Sequence, residues 1–386
     1  MACITAGLGM IPLRGGATAP AVSSARIRIA EETGSNAVSV AAAKRTPQKI
    51  LTVESFHNAI TVLQAIGGST NAVVHLMAIV NRHPEVKGKI TLKTFDEIGR
   101  NVPLLVDLKP SGDNYMTDFH NAGGMLALLH TLRPLLKTSA MTITGKTLGQ
   151  VLDETPFRSF DLSTEIIRPL SNPLHPASSL AILYGNLAPE GAVIKASASK
   201  YKHLLQHSGP AVVFENSADM ARRIDDRDLP VTKDSVLVLK GIGPIGNPGM
   251  PEAGLIPLPR KLAEQGVKDM LRLSDGRMSG TAGGSIVLHI SPESVIPTSV
   301  FGILRDGDVI TCDVGNRVLK VELSDDEIRN RIEERGREIA ARDTDHVWIK
   351  RQGRRGYRGL YERSVNQAQE GADFDFLTAD GPDGGS

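Results

Sequence analysis

"MLRLSDGRMSGT", residues Met270 to Thr281, alternates like a half-buried strand through Met270-Leu271-Arg272-Leu273. It then leaves the strand through Ser274, Asp275, Gly276, Arg277, Ser279 and Gly280. Glycines at such an exit mark places where the backbone turns tightly or approaches another group closely. A second exit of this kind lies upstream. There the strand-like Val236-Leu237-Val238-Leu239 runs into "KGIGPIGNPGMPEAG", Lys240 to Gly254, with five glycines and three prolines. Whether the two strand ends meet, and what they hold, is the question the sequence poses.

Outward from these stretches the texture divides. From Met1 to about Arg168 helical signals dominate. Thr52 precedes an apolar-periodic stretch through Ile60, Leu63 and Ile66, and Asn71 to Val80 is apolar on most sides, which predicts a buried helix. Thr94-Phe95-Asp96-Glu97 has capping-box spacing and predicts a short helix starting at Thr94. After the proline-rich "RPLSNPLHPASS", Arg168 to Ser179, short strand-like runs take over. These are 192–194, 211–214, 236–239, 284–290, 309–312 and 318–323. Helices opened by Ser217 and by the capping box Ser324 to Glu327 lie among them. This predicts a domain break at 168/169, a β-rich second domain over 169–377 and a disordered tail over 378–386.

At 386 residues the chain is long enough for two cores. A hydrophobic fraction of 41% and a net charge of +1 suggest neither disorder nor a bulk basic surface for nucleic acid. No apolar run reaches a membrane span, and the N-terminus lacks the pattern of a signal peptide. Two cysteines, Cys3 and Cys312, form neither a disulfide framework nor a CxxC pair. A cytoplasmic globular protein is expected, or a mitochondrial one if a transit peptide precedes this sequence.

Other polar stretches have ordinary readings. Gly67-Gly68-Ser69-Thr70 could present backbone N–H groups to an anion, but a tight turn between two helices accounts for it. Lys109, Ser111, Asp113, Asp118 and His120 read as solvated loop polarity. His75 reads as a satisfied core histidine. "KRQGRRGYRGLYER", Lys350 to Arg363, mixes arginine with tyrosine as RNA-contacting segments do, yet in a neutral chain it reads as a solvated or subunit-contacting segment.

Five stretches together carry a resemblance: "GGSTNAVVHL" (67–76), "KPSG" (109–112), "GNPGMPE" (246–252), "SDGRMSGT" (274–281) and "HISPES" (289–294). In wording and order the chain resembles the dihydroxy-acid dehydratases, a family that includes sugar-acid and phosphogluconate dehydratases. "RMSGT" and the ending "GADFDFL", Gly371 to Leu377, look more like the sugar-acid branch. The resemblance implies an α/β fold, with part of an α/β N-terminal domain (1–168) and a β-barrel-like C-terminal domain. It implies that Glu252 is a Mg²⁺ ligand, Ser279 the proton-abstracting base and Thr281 a hydroxyl near the substrate. It also implies an iron–sulfur cluster, a small hydroxy acid as substrate, a homodimer or higher homo-oligomer, and neither nucleic acid nor membrane as partner. A hard cation suits carboxylate oxygen and would chelate a 2-hydroxy acid.

The opening Met1 to Arg26 resembles the segment just after the family's third cluster-binding cysteine. The cluster cysteines, the aspartate that holds Mg²⁺ and a modified lysine are therefore expected outside this sequence. Cys3 falls in the following helix and Cys312 reads as a buried small hydrophobe. A cluster takes three or four thiolates, so no cluster-binding residue is assigned. Two functional readings follow: a hydro-lyase that converts a 2,3-dihydroxy acid to a 2-keto acid, or a non-catalytic remnant or subunit of that family. On either reading this chain alone is expected not to dehydrate its acid.

Overall fold

A computed structural model describes residues 1–13, 17–155, 165–279, 283–341 and 355–379. The chain packs as two compact units. One comprises Met1–Ala72 and His83–Leu180, the other Val73–Arg82 and Ala181–Ser386.

The described part of the first unit is helical. Its helices are α1 Ala2–Gly7, α2 Ser24–Ala42, α3 Pro47–Ile50, α4 Val53–Ala65, the start of α5 Asn71–Arg82, α6 Leu92–Gly99, α7 Met116–Asn121, α8 Gly124–Leu132 and α9 Leu148–Glu154. Helix α4 starts where Thr52 accepts the Ser55 N–H at 3.4 Å while Ser55 Oγ accepts the Thr52 N–H at 2.9 Å. Its Phe56, Ile60 and Leu63 are fully buried. Buried Gln64 donates to the carbonyls of Phe95 and Leu180 and accepts the Leu180 N–H, so it carries no unpaired polar group.

The expected cap at Thr94 lies one turn too far along. α6 begins after Thr91, and Thr94 is the third helical residue, its hydroxyl accepting the Thr91 N–H at 3.1 Å. Both threonines can cap, and the N–H of Thr91 settles which one does. The proline-rich stretch is laced into this unit: Leu104 N–H donates to His175 at 2.8 Å and Arg168 N–H to Leu105 at 2.8 Å.

The second unit holds eight strands, β1 Ala181–Gly185, β2 Ala188–Ile194, β3 Gln206–Phe214, β4 Val236–Leu239, β5 Arg272–Ser274, β6 Ile286–Ser291, β7 Val309–Asp313 and β8 Val318–Val321. They form a closed barrel in the order β1-β2-β6-β5-β4-β3-β7-β8. Closure leaves no unpaired sheet edge. β3, β4, β5 and β6 run parallel, so their carboxyl ends lie at one end of the barrel. Alternation fills the inside with Leu183, Ala192, Ile194, Val213, Val238, Leu273, Val287, Ile310, Cys312 and Leu319. Burying a side chain the size of Leu or Ile contributes about 1.5–3 kcal/mol.

Helices α10 Ser217–Arg223, α11 Arg260–Glu264, α12 Asp325–Ala341 and α13 Gly356–Ser364 complete the described part of this unit. Asn216, rather than Ser217, caps α10 by accepting the Asp219 N–H. Ser324 accepts the Glu327 N–H, as its spacing predicts.

Six strands fall on the runs expected for them, with ends shifted by a few residues. β1 was not anticipated. β5 is not half-buried: Leu273 faces the barrel interior while Arg272 faces outward, and both are buried. Arg272 is covered because it pairs with Asp269 and donates to the Ile256 carbonyl at 3.0 Å. Of the expected tail, Ala379 donates to the Asn81 carbonyl at 2.9 Å, and 380–386 lie outside the described residues. No helix among the described residues is long and apolar enough to cross a membrane.

Candidate active site

The two exits meet. The Asp275 carboxylate, fully buried just past β5, accepts the N–H groups of Gly241 at 3.3 Å and Ile242 at 3.1 Å from the β4 exit. It also accepts the N–H and hydroxyl of Ser294, beyond β6, at 2.9 and 2.5 Å. Burial pushes its pKa up, and these four donors pull it back. Gly276 is required here, since a Cβ would come within 2.6 Å of the Ile242 side chain and 3.1 Å of its carbonyl.

A second buried carboxylate repeats the arrangement one loop further on. Glu293 accepts from Ile245 N–H at 2.9 Å, Gly246 N–H at 2.8 Å and the Gln367 amide at 2.8 Å. Burial, reinforced by Asp275, raises its pKa to about 7. Lys240 spends its three protons on Glu215 at 2.8 Å and the carbonyls of Gly302 and Leu304 at 3.1 and 2.8 Å. These ties fix the loops that follow three neighbouring parallel strands, the end at which open α/β sheets also bind ligands.

Above this layer Gly254 N–H donates to the Arg277 carbonyl at 2.8 Å, and Arg277 Nε donates to the Met250 carbonyl. The loop carrying Glu252 is thereby bonded on either side of that residue, and the loop carrying Ser279 is bonded to it two residues earlier, at Arg277. Glu252 and Ser279 are both exposed, and Thr281 lies outside the described residues. Arg277 Nη1 donates to His75 Nε2 at 3.4 Å. An arginine only donates, so His75 accepts at Nε2. Its pKa is lowered by burial and by Arg277. His75 is thus a surface residue of α5 with a specific partner, not a core histidine, and it lines a cavity. That cavity, of about 380 Å³, is lined by Val74, His75, Met250, Arg277 and Asp373 among others.

Beside Arg277 lies His289, 3% exposed, with both ring nitrogens lacking a hydrogen-bond partner. It occupies a bulge: β6 spends an extra residue between its pairings of Leu288 and Ser291 with β2, and His289 has φ 55°. Burial, Arg277 and His75 depress its pKa to about 3.

Other motif residues fall elsewhere. Gly67 to Thr70 form the expected tight turn, with Ser69 Oγ accepting the Asn71 N–H at 3.2 Å. The Lys109 to Gly112 loop, in the first unit, closes on itself: Asp107 accepts the Asp113 N–H at 2.6 Å and Gly112 N–H donates to Leu108 at 2.7 Å.

Metal chemistry can be tested against these donors. Cys312 points into the barrel interior with its thiol pushed up to about 12 by burial, and Cys3 is buried in the first unit with its thiol at about 11. Such sulfurs do not fit a cluster, which takes thiolates. Glu252 offers oxygen of the kind Mg²⁺ takes, but no group of three His, Cys, Asp or Glu among the described residues is gathered to hold a metal. The described residues therefore make up neither centre.

A closed barrel with buried carboxylates binding its strand-end loops, and exposed serine and glutamate on those loops, has a counterpart among known proteins. Residues 1–151 match the N-terminal domain, and 165–372 the C-terminal domain, of the dihydroxy-acid/6-phosphogluconate dehydratases, and the chain belongs to that family. It is 42% identical over 97% of its length to the L-arabonate dehydratase of Azospirillum brasilense, covering 62% of that protein. It is 41% identical over 95% to the 6-deoxy-6-sulfo-D-gluconate dehydratase of Pseudomonas putida, covering 60%. With the dihydroxy-acid dehydratase of Methanobrevibacter smithii the identity is 37% over 96%, covering 63%. The chain thus spans about three-fifths of the length of the curated relatives it matches.

Proposed function

We propose that this chain forms part of a hydro-lyase that removes water from a 2,3-dihydroxy acid to give a 2-keto acid, and that the acid is a sugar acid. The observation that supports this best is the joining of the Glu252 and Ser279 loops at the carboxyl ends of β4 and β5 through Asp275 and the Gly254–Arg277 hydrogen bond. The sugar-acid choice rests on "RMSGT" and "GADFDFL", and on two relatives, named for sugar-derived acids, that are more similar than the branched-chain type compared.

In this reading Ser279 takes the proton from C2. The C–H electron pair becomes the C2–C3 double bond, the C3 hydroxyl leaves and picks up a proton to become water, and the resulting enol tautomerises to the ketone. Ser279 is exposed and reachable by a small acid, and its loop is held by Asp275, so its hydroxyl is positioned before the acid arrives. Glu252, on the adjoining loop, is assigned to an Mg²⁺ ion that the acid's carboxylate and C2 hydroxyl would share. Thr281 is assigned to contact substrate, and a homo-oligomer is the assembly proposed.

The test uses calorimetric binding and keto-acid release with a panel of aldonic acids and 2,3-dihydroxyisovalerate. In a full-length relative a sugar acid should bind the wild type and the alanine variant of the serine matching Ser279 equally, and only the wild type should release keto acid. Turnover by that variant would remove the serine from its role.

A further inference from the structure

A serine hydroxyl is a poor base near neutral pH unless a neighbouring group takes its proton. Of the groups described so far in the site, Asp275, Glu293 and Lys240 are each engaged with several hydrogen-bond partners, and His289, though unpartnered, has its pKa depressed to about 3 and is too weak a base to take a serine proton. Lys195, immediately past β2, differs. It is only 8% exposed, and its side-chain amine makes no hydrogen bond and no ion pair among the described residues. A buried amine without a counter-charge costs several kcal/mol, by the usual estimates, if it is kept ionised. Such lysines serve as bases and nucleophiles.

Its position on the barrel gives the amine a use. Ala192 and Ile194 face the barrel interior, so alternation turns Val193 and Lys195 outward. Ile194 lies opposite Val287, which puts Lys195 beside Ile286 on the outer face of β6. Met278 packs on Ile286 and Leu288 on that same face, and Ser279 follows Met278 directly. The loop that carries Ser279 returns to β6 alongside the residues after Lys195: Gly284 N–H donates to the Ala198 carbonyl at 3.3 Å, and Ser199 and Ser285 share a hydroxyl hydrogen bond of 2.6 Å. One strand end and one loop therefore bring a lone amine and an exposed serine to the same outer face.

We infer that Lys195 is a further catalytic residue of this site, the amine that accepts the Ser279 hydroxyl proton, which makes Ser279–Lys195 a serine–lysine pair. The inference rests on Ser279 being the base, as proposed above. The neutral amine takes the hydroxyl proton, and the alkoxide takes the C2 proton and is restored to hydroxyl. The departing C3 hydroxide takes the proton from the ammonium, which yields water and the neutral amine. The cycle closes with no other reactant. Burial alone lowers the Lys195 pKa, to about 8, with no charged neighbour contributing. Arg272, outward on β5, is paired with Asp269. A substantial neutral fraction at neutral to mildly alkaline pH follows.

The experiment is diisopropylphosphorylation of Ser279 in the 386-residue chain by diisopropyl fluorophosphate, located by mass spectrometry and followed against pH, which reads the serine without needing turnover. Wild type should label at Ser279 with a rate that rises through an ionisation near pH 8. Lys195→Met should lose roughly 10²-fold or more in rate, in the range general-base catalysis supplies, together with the inflection. Lys195→Met removes a buried unpaired charge, so it should melt no lower than wild type. Lys195→Arg keeps the charge but cannot act as a base, and should also lose the inflection. Unchanged labelling in either variant overturns the lysine's role while leaving Ser279 in place. Absence of labelling at Ser279 in wild type at every pH overturns the reading of Ser279 as well.

Discussion

Leu273 and Asp275 are two residues apart, equally buried, and surrounded by opposite chemistry. Leu273 lies among Val238, Val287 and Ile310 inside the barrel, where position is set by shape alone. Asp275 stands at the barrel's rim with four hydrogen bonds from two other loops. Inside, no atom needs a particular partner, so the lining can be exchanged for other apolar groups of equal volume. At the rim each partner is named, and loss of one group strands several others. The rim thereby trades tolerance for definition, which is what the site proposed for Ser279 and Glu252 requires.

Asp275→Ala should show the largest effect: a loss of about 3–5 kcal/mol of stability, as when one side of a buried charged network is removed, read from urea denaturation. Serine labelling should fall with it even under conditions where the variant is folded, because the Ser279 loop loses its anchor. Leu273→Ala should cost about 2–5 kcal/mol for the cavity it leaves, toward the lower end if neighbours relax, yet label Ser279 at the wild-type rate while folded. Normal labelling in Asp275→Ala, or lost labelling in folded Leu273→Ala, would erase the distinction between interior and rim.

The effect that is smallest for each pH unit concerns titration and sharpens the contrast within the rim itself. His289 is depressed from 6.5 to about 3, so the unfolded chain binds more protons between those values and stability falls as the pH drops from 6.5 toward 3. Glu293 is raised from 4.5 to about 7, so its stabilising contribution is complete below pH 4.5 and is lost as the pH rises toward 7. Between 4.5 and 6.5 the two slopes oppose each other, each at most about 1.4 kcal/mol per pH unit. Compared with wild type, His289→Asn, whose side chain tolerates a positive φ, should stability-wise gain on acidification below pH 4.5. Glu293→Gln should gain as the pH rises from 4.5 to 7. Equal slopes in wild type and variants would mean that neither group carries its shift.

Much of the barrel was legible, because apolar runs such as Val236 to Leu239 and Val309 to Cys312 have few other uses in a chain so poor in aromatics. β1 escaped notice because "AILYG" follows directly on a proline-rich stretch and has no alternation to mark it. The glycines and prolines of Lys240 to Gly254 pointed to a site, and the five motifs named its family. Asp275 and Glu293 did not announce themselves, since a carboxylate that gathers N–H groups from two other segments looks, in sequence, like any loop carboxylate. His75 was misplaced for the same reason: which face of α5 is covered depends on Arg277, some two hundred residues away. Lys195 was invisible because nothing near it in sequence shows that its partner is missing.

The helix that carries His75 also shapes how the chain is made. Val73–Arg82 belongs to the barrel's unit although the flanking residues belong to the other, and its Arg82 is held by Asp373, 291 residues downstream. On a ribosome this apolar helix emerges long before any barrel strand and waits for Asp373 before its final bonds can form. During that interval its apolar face is open to wrong partners, an exposure that favours aggregation and chaperone capture. A barrel fragment starting at β1 would lack this helix altogether, so the second unit is inherited only through a discontinuous stretch of gene.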